Sequence, residues 1–198
     1  ALRERYGRVG LAFVDGHLDY YDGESSPTGA LADMELAILM GRGPRPLTAI
    51  VGEPPLVHAT DAWVLGFRDH WVMRERGAPD ALAELPDAHF VDDAGVRRNG
   101  SAEVGRIAAE ALAERPGCFW LHVDLDALSP AVMPAVDDLI PGGLSWDELT
   151  QLLRPLVQSD ALLGMDVAIY NPSKDPGHAL APRIVRLLAD VLATDDAG

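Results

Sequence analysis

Five apolar runs recur along the chain, and each ends in polar residues: VGLAFVD from Val9, AWVLGFRD from Ala62, AHFVDD from Ala88, CFWLHVDLD from Cys118 and ALLGMDVAIY from Ala161. Runs that stay apolar instead of alternating are strands buried on both faces, as in a mostly parallel sheet. Between them, helical spacing covers roughly Gly29 to Met40, Ser101 to Arg115, Ser145 to Gln158 and Leu180 to Ala193. The alternation predicts an α/β fold of three layers, a mostly parallel sheet between two layers of helices. SWDELTQLL adds a helix start, because Ser145 can cap the first turn while Glu148 completes a capping box.

With 198 residues the chain has the length of one core-bearing domain, 1–198. Against 16 Lys and Arg stand 31 Asp and Glu, a formal charge of -15. That charge repels phosphate, so neither nucleic acid nor an anionic membrane is the expected partner. Lys174 is the sole lysine, and the single Cys118 cannot form an internal disulfide. A reducing compartment fits, with Cys118 expected to pack in the core. No run reaches the roughly 18 apolar residues that span a bilayer. The start, ALRERYGRVG, lacks the apolar core of a secretory signal. A soluble, cytoplasmic protein is therefore the expectation.

In open α/β sheets the ligand site lies beyond the carboxyl ends of the strands. Asp15, His17 and Asp19 follow the first run at alternate positions, and Asp124 and Asp126 close the fourth. Given 21 Asp in 198 residues, about two D-x-D pairs arise by chance but D-x-H-x-D only roughly 0.07 times. Four carboxylates on neighbouring strand ends repel unless they are protonated or neutralised by a cation. One imidazole with several carboxylate oxygens suits Mn²⁺ better than structural Zn²⁺. Bridging carboxylates can hold two such ions about 3.5–4 Å apart. The plainer alternative has Asp15 and Asp19 capping a turn and His17 filling a satisfied niche, which leaves the second cluster unexplained.

Several motifs in order resemble those of the arginase and agmatinase family, the ureohydrolases. D-G-H-L-D at Asp15 to Asp19 is similar to that family's D-A-H-x-D, and HVDLDALSP at His122 to Pro130 to its S-x-D-x-D-x-x-D-P. PGGL from Pro141, MDVAIYNP from Met165 and GFRD from Gly66 resemble further family segments. The resemblance implies a single arginase-like domain in which Asp15 and Asp124 bridge two Mn²⁺ ions. His17 and Asp126 would complete one ion, while Asp19 would bind the other and orient a bridging hydroxide that attacks a guanidinium carbon and releases urea. It also implies a small-molecule substrate and a homo-oligomer, a trimer or hexamer.

Three departures qualify this. The family's additional metal-binding His, in a G-G-D-H segment, has no counterpart in the fourteen residues before Asp15. The expectation is a fragment or a shortened form, whose second ion is weakly held or missing. The carboxylate that grips the guanidinium aligns with Ile169, and Asp166, three residues earlier on a strand, points to the opposite face. The loop S-G-N-x-H-G reads T-G-A-L-A-D, so a substrate-binding Asn falls on Ala30 and the proton-shuttling His on Ala32. Asp137 and Asp138 offer a displaced anionic grip on a cationic substrate, against the plainer view of solvated loop acids. Glu24 and Asp33 are lesser candidates of that kind. His122 replaces the family's Ser and is read as a donor behind the ligands or as a substitute proton carrier.

Two functions follow as expectations: a Mn²⁺-dependent C–N hydrolase with altered recognition, or a degenerate relative kept as a structural or regulatory subunit. A fragment of a longer enzyme would further leave one sheet edge exposed and hydrophobic.

Overall fold

The computed structural model describes residues 2–193; residue 1 and residues 194–198 of the expected domain lie outside the described residues. All five apolar runs form strands: β1 Gly10–Val14, β2 Ala62–Leu65, β3 His89–Val91, β4 Phe119–Asp124 and β5 Leu162–Ala168. They make one parallel sheet in the order β3-β2-β1-β4-β5. From β1 the chain builds outward to β2 and β3, then crosses back and builds outward through β4 to β5. The order therefore reverses between β1 and β4, which opens a crevice beyond their carboxyl ends.

The shorter helices are α1 Leu2–Tyr6, α2 Glu35–Leu39, α3 Arg45–Thr48, α4 His70–Glu75, α5 Ala81–Glu84 and α6 Asp93–Asn99. The long ones are α7 Ser101–Glu114, α8 Trp146–Val157 and α9 Ala181–Leu192. Sequence spacing finds the long three because each carries a full apolar stripe. The expected helix from Gly29 to Met40 is a correction: only a 3-10 turn, Leu31–Asp33, and the five residues of α2 form there. Asp33 accepts hydrogen bonds from the Ser26 and Thr28 hydroxyls, and these local bonds hold the segment in a loop instead. At α8 the capping box is present, with Ser145 and Glu148 each accepting from the other's backbone N–H.

Successive residues of β1 and β4 feed two cores. Ala12, Val14, Phe119, Leu121 and Val123 pack under α7, α8 and α9, while Leu11 and Phe13 pack on the other face against Tyr20, Tyr21, Leu36 and Met73. Burial of both faces is why these strands read as unbroken apolar runs. Cys118 is half-buried at the start of β4 rather than within the core. At the β5 edge the side chains are mostly half-buried, and Val167 is exposed. No helix among the described residues is long and apolar enough to cross a membrane.

Candidate metal centre

Val14 pairs with Val123, so Asp15 and Asp124, one residue further along each strand, emerge side by side at the crevice. Asp15 is 1% exposed and Asp124 8%. After Asp15 the chain turns sharply: His17 N–H donates to Asp15 Oδ1 at 2.7 Å and Gly16 N–H to Asp126 Oδ1 at 2.9 Å. Asp126 N–H donates to Asp124 Oδ1 at 2.7 Å. These bonds bring His17 Nδ1 to 2.8 Å from Asp126 Oδ2 and 3.7 Å from Asp15 Oδ1.

Donor atoms of Asp15, His17 and Asp126 lie within 4.8 Å of one another, and so do donor atoms of Asp15, His122 and Asp124. Asp15 belongs to both groups. Asp15 Oδ2, His17 Nε2 and His122 Nε2 are buried with no hydrogen-bond partner among the described residues. Buried polar atoms without partners are costly, and a cation is the natural occupant among so many carboxylates.

The protonation pattern says the same. Burial, followed by the charge of Asp126, raises Asp15 to about 6. Burial, followed by Asp15 and Asp126, raises Asp124 to about 10. Asp19 is held well above the carboxylate range by burial and Asp15. For His17, burial favours the neutral ring, but the Asp126 and Asp15 carboxylates outweigh it and push the imidazole up to about 12. Metal-free, the acids keep themselves together by retaining protons; a divalent cation would do this without them. The donors are mostly hard carboxylate oxygens with one imidazole per group, a set that fits Mn²⁺.

His17, Asp124 and Asp126 of these groups, together with Asp19, line the floor of an open cavity of about 660 Å³, and Asp15 and His122 are not among its lining residues. Asp15, His17, Asp124 and Asp126 of the two sequence motifs are thus brought into the donor groups, whereas Asp19 lines the same cavity and belongs to neither group. Asp137 and Asp138 stand on the same cavity, but Asp137 is ion-paired with Lys174 and accepts from Asn171 Nδ2 at 3.4 Å. Ala30, Ala32 and Ile169 line the wall. Asp33 also borders the cavity but braces its own loop, and Glu24 is absent from the lining.

Three side chains of the site were not foreseen in these roles. Asp69, at the end of GFRD, accepts from Leu18 N–H at 3.0 Å and so holds the D-G-H-L-D loop. Arg68 donates from Nη2 to the Asp126 carbonyl at 2.8 Å and from Nε to the Ile140 carbonyl at 3.1 Å. It ties the metal strand end to the Asp137–Asp138 loop. Glu35, in the first turn of α2, has Oε2 3.9 Å from His122 Nε2. The GFRD segment was a visible signal for the first two, whereas an acid opening a short helix gave no warning of Glu35.

The sequence profile of the Arginase family matches residues 1–193. The chain belongs to the arginase family. Among curated family members it is 28% identical to the arginase of Bacillus caldovelox over 195 residues, covering 96% of this chain and 62% of that one. It is 27% identical to the arginase of Brevibacillus brevis over 187 residues, covering 92% of this chain and 60% of that one. The native structure of the B. caldovelox arginase superposes with a TM-score of 0.82 at 26% identity, over 98% of this chain and 64% of the other. This arginase-family chain therefore spans about three fifths of the length of those relatives, and its three-layer fold is theirs.

Proposed function

We propose that this chain carries the site of a Mn²⁺-dependent hydrolase that cleaves a C–N bond of a guanidino or amidino-like small molecule. The observation that carries the reading is Asp15, shared by two groups of buried metal donors of which His17, Asp124 and Asp126 line an open cavity. Divalent cations bound there would supply Lewis acidity and lower the pKa of water at the site. Asp15, His17, Asp124 and Asp126 would hold them. Asp19, on the cavity wall, orients the attacking water, and Asp126 is kept ionised and in place by His17, Gly16 and Arg68. Water provides the oxygen, the C–N bond breaks, and the amine leaves with a proton, so that a guanidino substrate yields urea. The acidic floor attracts the cationic head group, and Asp138 on the rim extends that field.

The test is a screen of guanidino compounds for urea release by the Mn²⁺-loaded chain, with Asp126→Asn as the inactive control. Absence of bound Mn²⁺ after loading would sink the reading. A second reading, a non-catalytic subunit, draws on Ala30, Ala32 and Ile169, which present only hydrocarbon to the cavity. Tight Mn²⁺ binding with no turnover of any guanidino compound would favour it.

A further inference from the structure

Behind the cavity floor, β4 presents a second imidazole. His122 lies two residues before Asp124, so both side chains leave the same face of the strand. Phe13, His122 and Asp166 form one row across β1, β4 and β5. The Phe13 ring stacks on the imidazole with centroids 4.7 Å apart and planes 21° from parallel. Asp166 Oδ2 lies 2.7 Å from His122 Nδ1, and Asp166 Oδ1 accepts from Trp120 Nε1 at 2.5 Å. Gly164 makes room for that indole, since a Cβ there would stand 2.7 Å from Trp120 Cζ3.

A carboxylate on Nδ1 fixes the proton there and leaves the Nε2 lone pair for another partner. Among the described residues His122 Nε2 is buried with no hydrogen-bond partner, and it faces the equally unpartnered Asp15 Oδ2 at 3.8 Å. That separation is too long for a hydrogen bond. Metal bonds of about 2.0–2.2 Å place two ligands of one ion roughly 3–4.4 Å apart, which matches it. The Asp124 carboxylate completes the group. His122 is not among the residues lining the cavity, so it is badly placed to hand protons to a substrate and well placed to hold a cation from behind.

We propose that His122 is a metal ligand, holding with Asp15 and Asp124 a second divalent cation beside the one held by Asp15, His17 and Asp126. Asp166 is a positioning residue that orients the imidazole, and Trp120 holds Asp166 in turn. The inference rests on the metal-dependent reading above.

Mn²⁺ binding is measured on the purified chain through the EPR signal of free Mn²⁺, alongside thermal melts of every variant. Two ions per chain are expected for the wild type, and one for His122→Ala. His122→Gln keeps the side-chain volume where alanine does not fold, and is expected to lose the same ion. Asp166→Asn should retain both ions but weaken one about 10–100-fold. With ¹⁵N-labelled histidine, hyperfine coupling of bound Mn²⁺ to two imidazoles is expected in the wild type and to one in His122→Gln. A folded His122 variant that keeps every ion of the wild type at unchanged affinity overturns the proposal. A wild type that binds no Mn²⁺ overturns instead the metal-dependent reading on which it rests.

Discussion

Gly16 lies directly against Arg68: a Cβ at position 16 would stand 2.3 Å from Arg68 Nη1, 2.6 Å from the Asp126 carbonyl oxygen and 2.8 Å from Asp126 Oδ1. The guanidinium end can swing aside, but the backbone carbonyl cannot. The turn that aims Asp15 and His17 at Asp126 therefore depends on the missing side chain. Gly16→Ala is expected to cost about 1–3 kcal/mol of stability in chemical denaturation and to weaken Mn²⁺ binding. Unchanged metal affinity would show that the turn relaxes freely.

Asp15 contributes to both donor groups, whereas His17 contributes to one. Asp15→Asn should abolish binding of both ions, while His17→Ala should leave one. Elemental analysis after dialysis distinguishes the two outcomes, and equal losses in both variants would contradict the sharing.

Protons and metal compete at this site. At pH 7 Asp124, raised by burial and Asp15 to about 10, and His17, raised to about 12, both hold protons. Binding a cation must release them, so Mn²⁺ affinity should climb from pH 6 to pH 8. Calorimetry in buffers of different ionisation enthalpy should register proton release. Without metal, stability moves the opposite way. A raised folded pKa contributes stability that is complete below the ordinary value and is lost as pH rises through the folded one. For Asp15 that loss runs from 3.8 through about 6, for Asp124 from 3.8 through about 10, and for His17 from 6.5 through about 12. The melting temperature of the metal-free chain should fall between pH 5 and pH 9, and Mn²⁺ should flatten that slope. A metal-free melting temperature that rises over this range would refute the assignment.

On the rim, Asp138 makes no ion pair among the described residues, while Lys174 neutralises Asp137. Asp138→Asn is expected to raise KM for a cationic guanidino substrate about 3–10-fold with kcat nearly unchanged, as removal of uniform binding requires. Asp137→Asn should move KM less. Steady-state kinetics on both variants provides the comparison, and a larger effect at Asp137 would reverse their order.

Outside the cavity lining, Ser145 accepts from Glu148 N–H at 3.2 Å and Glu148 Oε2 accepts from Ser145 N–H at 2.7 Å. Ser145→Ala should destabilise the fold by about 1 kcal/mol and leave Mn²⁺ binding intact. Urea denaturation measures the first effect and metal titration the second.

The strands, the long helices, the α8 cap and the cluster of Asp15, His17, Asp19, Asp124 and Asp126 were all legible in the chain. Each is encoded locally, by apolar periodicity, a capping pattern or a spacing within a few residues. The loop from Gly29 to Met40 was misread as a helix because the Asp33 carboxylate accepts hydrogen bonds from the Ser26 and Thr28 hydroxyls, which periodicity does not register. Asp166 illustrates the other limit. Sequence reasoning asked only whether it could replace a carboxylate at Ile169, and could not name what it faces.

That answer depends on register. Asp166 meets His122 because β4 and β5 pair with those residues opposite each other, and it meets Trp120 because Gly164 leaves space. Likewise, Lys174 finds Asp137, 37 residues away, and Glu35 comes beside His122, only through loop and helix packing. The sequence by itself determined a parallel α/β sheet and a set of acids and an imidazole at two strand ends, since these are properties of short segments. Which strands lie side by side, and hence whether His122 turns its free nitrogen toward Asp15, was decided only by tertiary structure. Partners far apart in the chain are chosen by the hydrogen-bond register of the sheet and the shape of the core, which no short segment carries.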